Sequence, residues 1–372
     1  MKLPPARVTI PPDDIPGMLS DFEVILKSGR LTLGPFTEEF ESAYADSIKV
    51  EYAVAVNSGT SALEILLRCL NVSGRKVIVP TNTFFATPAA ALHAGAKVEF
   101  VDVQEHMMVD PDQLEKAIDP TTAAVVVVHI GGYVHPEIHR IQDICTDKHV
   151  PLLEDAAHAH GSRLGGDYAG GFGDAAAFSF YPTKVMTTAE GGMIATANPS
   201  IAARARVFRD QGKEGFGKNY HVELGYNWRM NELSAAIGLH QLRHLNEFIR
   251  ARTSAAQKYT ERLRSMTTLR PMPFPNESVP NFYKYVAFLE SGVSRNDVKT
   301  RLSTNHQVSL SGEVYEIPCH LQPVFKSRSV ELYADLRLAE RMCAEHVCLP
   351  IYSDMTRAEL EYSLAALQSV LT

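Results

Sequence analysis

A chain of 372 residues exceeds what one hydrophobic core usually serves, so two unequal domains are expected, a larger one over 1–250 and a smaller one over 251–372. With 45% hydrophobic and 21% charged residues the composition is that of an ordinary globular protein, which argues against extended disorder. A formal charge of −7 without any Lys/Arg block excludes a nucleic-acid stripe, and no run approaches the roughly 20 apolar residues of a membrane span.

Met1 to Ile10 contain prolines and two charges but no long apolar run, so neither a signal peptide nor an anchor is expected. Helices are expected over 14–27 and 36–48, with the turn Thr32-Leu33-Gly34-Pro35 between them. A strand follows over Tyr52–Val56, and Ser58-Gly59-Thr60-Ser61 opens an apolar helix over 62–70. Free N–H groups at a helix start, uncovered by glycine and supplemented by hydroxyls, suit an anion. An ordinary Ser/Thr cap has the same outline.

Strand and helix signals then alternate: strands over 76–79, 98–101 and 123–128, helices over 85–93, 111–118 and 136–146. This predicts an α/β fold with a mostly parallel sheet flanked by helices. Thr83-Phe84-Phe85 ends one strand, and of the two rings Phe85 is expected in the core. His129-Ile130-Gly131-Gly132-Tyr133 ends another; His129 reads as a structural hydrogen-bond partner.

Pro151-Leu152-Leu153-Glu154-Asp155 reads as a buried strand ending in acids, followed by Ala156-Ala157-His158. An acid there lies where open α/β sheets bind ligands. Next, the apolar run Phe178-Ser179-Phe180-Tyr181-Pro182-Thr183 delivers Lys184 into a Thr/Gly-rich turn closed by Gly191-Gly192. Most lysines are surface charge. A partly desolvated lysine, however, loses pKa and becomes an amine able to form a Schiff base, for which pyridoxal phosphate is the obvious carbonyl compound. Asp155 can then face the pyridine nitrogen and keep it protonated.

A helix is expected over 199–210, then a Gly-rich segment ending in Tyr226-Asn227-Trp228, then a long helix from Glu232 to about Arg264 that bridges the domains. Pro271 to Pro275 marks a linker, and 282–289, 295–303 and 356–371 outline a small α+β domain whose clearest motif is Pro318-Cys319-His320-Leu321-Gln322-Pro323. Five scattered cysteines show neither zinc nor disulfide spacing, so no metal is expected and a reducing cytoplasm is the simplest setting.

These residues, with Gly29-Arg30-Leu31-Thr32-Leu33-Gly34-Pro35, Asn57 to Leu63 and Leu349-Pro350-Ile351-Tyr352, resemble the DegT/DnrJ/EryC1/StrS family of sugar aminotransferases over nearly the whole chain. The resemblance implies a fold type I pyridoxal phosphate enzyme that moves an amino group from an amino acid, L-glutamate or, as in the branch acting on cyclitols, glutamine, to a keto-sugar carried on a nucleotide. It implies that Lys184 is the Schiff-base lysine, that Asp155 pairs with the ring nitrogen, and that His158 lies near the ring's phenolic oxygen, where many relatives carry glutamine. Ser179, Gly59 and Thr60 would hold the phosphate, Phe84 would stack on the ring, and His320 would approach the substrate or merely pack between domains. Asn227 would enter the site of the neighbouring subunit in a homodimer. Gly131 stands where many relatives have an aromatic residue, from which a roomier sugar pocket is expected. Sugar dehydratases of the same family replace the lysine by histidine, and a non-catalytic regulator on the same fold would have no need of Lys184, Asp155 and Ser179.

Overall fold

The computed structural model describes residues 1–215, 217, 219–326 and 330–371. Its centre is an eight-stranded sheet in the order Tyr52–Val56, Gly192–Thr196, Ala175–Ser179, Leu152–Asp155, Thr122–Val128, Lys76–Pro80, Lys97–Val101 and Val330–Leu332. Only Gly192–Thr196 runs against its neighbours. Strands covered on both faces read as continuous apolar runs, and Thr122–Val128 is buried at every position.

Because successive side chains face opposite sides, one strand feeds two cores. Ala53 and Ala55 join Phe40, Tyr44 and Ile141 beneath the helices Pro35–Ile48 and Ile138–Asp147. Val54 and Val56 join Leu66, Ala205 and Phe208 beneath the helices Gly59–Cys69 and Pro199–Arg209. The outcome is a doubly covered, mostly parallel sheet, the expected fold type I arrangement.

The 32-residue helix Glu232–Leu263 links this body to a third core. Ala235, Leu239 and Leu245 pack with Phe40 and Tyr44, whereas Ala256, Tyr259 and Leu263 pack against the antiparallel sheet of Leu269–Pro271, Tyr285–Leu289 and His346–Leu349. Leu269–Pro271 is thus an edge strand, and its last residue opens the Pro271–Pro275 stretch that the sequence suggested as a linker. Proline is tolerated at an edge because one side of the strand needs no ladder donor. Two segments cross between the bodies. Val330–Leu332 extends the large sheet. Near the other end of the sequence, Leu3 is fully buried among small-domain side chains, donates to the Gln307 carbonyl (3.0 Å) and accepts from Ser309 (3.1 Å), while Arg7 pairs with Glu359 (2.7 Å).

Candidate active site

The parallel strands end at one edge, and the crevice there is where ligands bind in open α/β sheets. A cavity of about 330 Å³ occupies this crevice. One end is formed by Ser58, Gly59 and Thr60 against Ser179. Ser58 caps the helix by accepting from Ser61 N–H (3.1 Å), and the first N–H groups of the helix, including those of Gly59 and Thr60, have no intrahelical acceptor. The packing requires glycine: a Cβ on Gly59 would meet Ser179 Cβ at 2.8 Å, and one on Gly192 would strike the Ser58 carbonyl carbon at 2.3 Å. Below it, neutral His160 accepts from Tyr44 Oη at Nδ1 (2.8 Å) and donates from Nε2 to the Ser179 carbonyl (2.7 Å). Burial takes the pKa of His160 down to about 4, so this tie carries no charge at neutral pH.

Asp155 ends its strand inside the same cavity. Its Oδ2 accepts from Thr87 Oγ1 (2.7 Å), which is bonded to Thr83 Oγ1 (2.7 Å), and its Oδ1 accepts from Ala157 N–H (3.2 Å). Burial raises the carboxyl above the ordinary aspartate range, opposed by those two donors and by Lys184 and His129. Its strand neighbour Glu154 faces the other way, fully buried, accepting from Gly170, Phe172 and Gly173 N–H and bonded to His129 Nε2 (2.8 Å). His129 accordingly sits in a structural bond.

Lys184 leaves the turn after Ala175–Ser179, where its N–H donates to the Tyr181 carbonyl (2.9 Å), and its ammonium stands 4.7 Å from the centre of the Tyr283 ring. Burial lowers its pKa below that of an ordinary lysine, against the pull of Tyr283 and Asp155. His158 lies against the same ring, centroids 4.4 Å apart. Its Nδ1 accepts from Gly131 N–H (3.3 Å), and burial, reinforced by Lys184, Lys284 and His160, holds the imidazole neutral. The hydrogen then resides on Nε2.

Gly59, Thr60, Phe84, Asp155, His158, Ser179 and Lys184 therefore line one cavity. Phe84 is 59% exposed. Phe85, expected in the core, is 47% exposed and rests on Phe325. His320 lies outside the lining, with Nδ1 bonded to Thr81 Oγ1 (2.7 Å) and Nε2 to Glu340 (3.2 Å). Asn227 is exposed on a segment that also presents Tyr220, Leu224 and Tyr226. Gly131 is likewise absent from the lining. Its φ of +65° is a left-handed conformation that disfavours other residues, and a Cβ there would touch Tyr133 and Val286 at 3.4 Å. The glycine answers a backbone requirement, so the expected widening of the pocket does not follow from it.

Sequence reasoning missed the small domain's contribution, Tyr283, Lys284, Glu313, Val314 and Tyr315. Asn281 sets them in place by donating to the carbonyls of His158 (2.8 Å) and His160 (2.9 Å), and Tyr283 Oη bonds Thr183 Oγ1 (3.1 Å). The aromatic-dense Asn281-Phe282-Tyr283-Lys284-Tyr285 was the available signal.

A helix-start cradle that only glycine fits, a buried acid, and a lysine of lowered pKa fit the phosphate, ring nitrogen and carbonyl carbon of pyridoxal phosphate. Comparison with known proteins agrees. GDP-perosamine synthase of Caulobacter vibrioides is 32% identical over 91% of this chain and 91% of its own. The crystal structure of DesV from S. venezuelae in complex with a ketimine intermediate superposes with a TM-score of 0.92 at 29% identity, covering 99% of this chain and 98% of that one. That of NtdA from Bacillus subtilis, with PMP bound as cofactor, gives 0.90 at 28% identity, covering 100% and 85%. The model of the DegT/DnrJ/EryC1/StrS aminotransferase family matches residues 14–368, and with the lysine, acid and cradle in one crevice the chain belongs to that family.

Proposed function

We propose that the protein transfers an amino group from an amino acid, L-glutamate, to a keto-sugar linked to a nucleotide, with pyridoxal 5′-phosphate held in the strand-end cavity. The observation that carries this reading is the joint placement of Lys184 and Asp155 in one cavity closed by the Gly59–Ser179 cradle. GDP-perosamine synthase, similar along nearly its whole length, supports the nucleotide-linked sugar.

When bound, the cofactor supplies a carbonyl carbon that exchanges amines and a ring that accepts electrons. Gly59, Thr60 and Ser179 hold its phosphate through backbone N–H and hydroxyl donors. Asp155 keeps the proton on the pyridine nitrogen, and Thr87 fixes the carboxylate's orientation. Neutral His158 offers Nε2–H to the phenolic oxygen, and Phe84 covers the ring. Lys184, its pKa lowered, is the base that would take the proton from the donor's Cα and deliver it to the bound cofactor. Because two half-reactions share these groups, the second runs the same proton transfers backward on the sugar. His320, with both ring nitrogens engaged, enters as a packing residue between domains at about residue 250. Asn227 serves the cavity of a second copy, with the exposed apolar side chains around it as part of the contact. Five buried free cysteines favour the cytoplasm as the setting.

Purified protein should be yellow, L-glutamate should bleach it, and borohydride followed by peptide mapping should find the label on Lys184. A colourless protein that rejects the cofactor would sink the reading. A panel of keto-sugar nucleotides, assayed with glutamate and glutamine, then identifies the substrates.

A further inference from the structure

A second cation borders the cavity. Lys284 donates to the Ser311 carbonyl (3.2 Å), and its ammonium lies 5.4 Å from the centre of the Tyr283 ring that also carries Lys184. Beside it opens a side pocket of about 190 Å³ that shares Thr183, Tyr283 and Lys284 with the main cavity and has Arg252 in its wall. Arg252 is only 4% exposed and donates to neutral oxygens alone, those of Ser353, Phe282 and Ile351.

Three nearby carboxylates are otherwise engaged, and a fourth, Glu190, lies at the exposed wall. Asp155 is bonded to Thr87, Glu313 is paired with Lys299 (2.7 Å) and Arg295 (3.4 Å), and Asp354 with Arg7 (3.4 Å). Among the described residues neither Lys284 nor Arg252 is paired with an acid. Arg252 is a buried cation and Lys284 a half-buried one, both without a paired acid, and an arriving anion offsets the cost of holding them.

We propose that Lys284, backed by Arg252, anchors a substrate carboxylate and so fixes where the reacting carbon sits relative to Lys184. The inference rests on the aminotransferase reading, because every amino-acid donor carries a carboxylate one bond from the Cα that Lys184 must reach. A sugar acid would present the same group, and either source meets the same ammonium. The cofactor's phosphate has its own seat at the Gly59–Ser179 end, which leaves Lys284 and Arg252 for an anionic group of the substrate.

The test compares wild type with Lys284→Gln, which keeps a donor for the Ser311 carbonyl but removes the charge, and Lys284→Arg, which restores it. Calorimetric titration with maleate, an unreactive dicarboxylate, reads the site without turnover. Lys284→Gln should weaken maleate binding by about tenfold or more, the loss of one partly buried charge contact, and Lys284→Arg should recover most of it. Matching melting temperatures establish that the variants are folded. Single-turnover bleaching by L-glutamate then separates the sources. A comparable fall in donor affinity in Lys284→Gln assigns the donor's carboxylate, whereas a loss confined to a keto-sugar nucleotide bearing a uronic acid, relative to a neutral one, assigns the sugar's. Maleate binding and both half-reactions unchanged in Lys284→Gln would overturn the anchor while leaving the aminotransferase reading intact. A wild type that never bleaches with any donor would instead overturn that reading.

Discussion

Asp155 is an acid that the cofactor-free protein holds at a cost. Burial raises its pKa, and a carboxyl raised in the folded state contributes stability below its unfolded pKa and loses it as pH climbs through the folded value. Wherever it is ionised, the buried group therefore works against the apo fold, and a protonated pyridine nitrogen relieves it. Cofactor-free Asp155→Asn should melt no lower than cofactor-free wild type at pH 7, with any advantage shrinking toward about pH 4 as the wild-type acid protonates, and the loaded variant should lose turnover. Scanning calorimetry across pH checks this. A clearly lower melting temperature at neutral pH would mean that the charge serves the fold. Asp155 and Lys184 were legible because each stands next to its own strand-end signature. Thr87 was not, since a threonine inside an alanine-rich helix reads as filler until folding brings it to the Asp155 carboxylate 68 positions away.

Among elements, the Gly170–Gly173 loop shows how one carboxylate organises a stretch without regular structure. Three N–H groups and His129 converge on Glu154. Strand alternation points Glu154 away from the cavity, so a direct part in turnover is not expected of it. That does not make the residue dispensable. Glu154→Ala strands several buried donors, each worth about 1–3 kcal/mol, so a loss of about 3 kcal/mol or more is expected in urea denaturation. The fraction that folds should still bind the cofactor. A loss below about 1 kcal/mol would show that water replaces the carboxylate. The parallel strands between 76 and 155 were readable to within a few residues because their apolar runs are long, whereas Val330–Leu332 at the sheet's edge was not anticipated. Arg163–Leu164, Asp167–Tyr168 and Ser278–Val279 escaped, for two-residue strands offer too little periodicity and depend on partners distant in the chain.

At the scale of the whole molecule, Asn227 is exposed and outside its own chain's cavity. If it completes a second copy's site, two inactive variants can rescue each other. Lys184→Ala chains co-expressed with Asn227→Asp chains, in which a carboxylate opposes the cofactor phosphate, should recover about one quarter of all sites, since half the dimers are mixed and each mixed dimer has one unspoiled site. Both parents must be inactive alone. Mixed dimers isolated through two tags and showing no activity above the parents would place Asn227 in its own chain's site or in none.

The segment from Leu3 to Arg7 has its partners at Gln307, Ser309 and Glu359, and the contact from Arg7 to Asp354 spans 347 positions. Order of synthesis and order of assembly are therefore opposed: this segment leaves the ribosome early and finds its seat only after the small domain exists. Until then Leu3 and its neighbours lie open, and contacts so far apart in sequence form late. A ribosome-stalled chain lacking residues beyond 345 should be cut by protease within its first ten residues while the large sheet resists, and equal protection of both would show that the segment is held earlier by something else. The strand of time that runs along this polypeptide is closed, at the end, by its beginning.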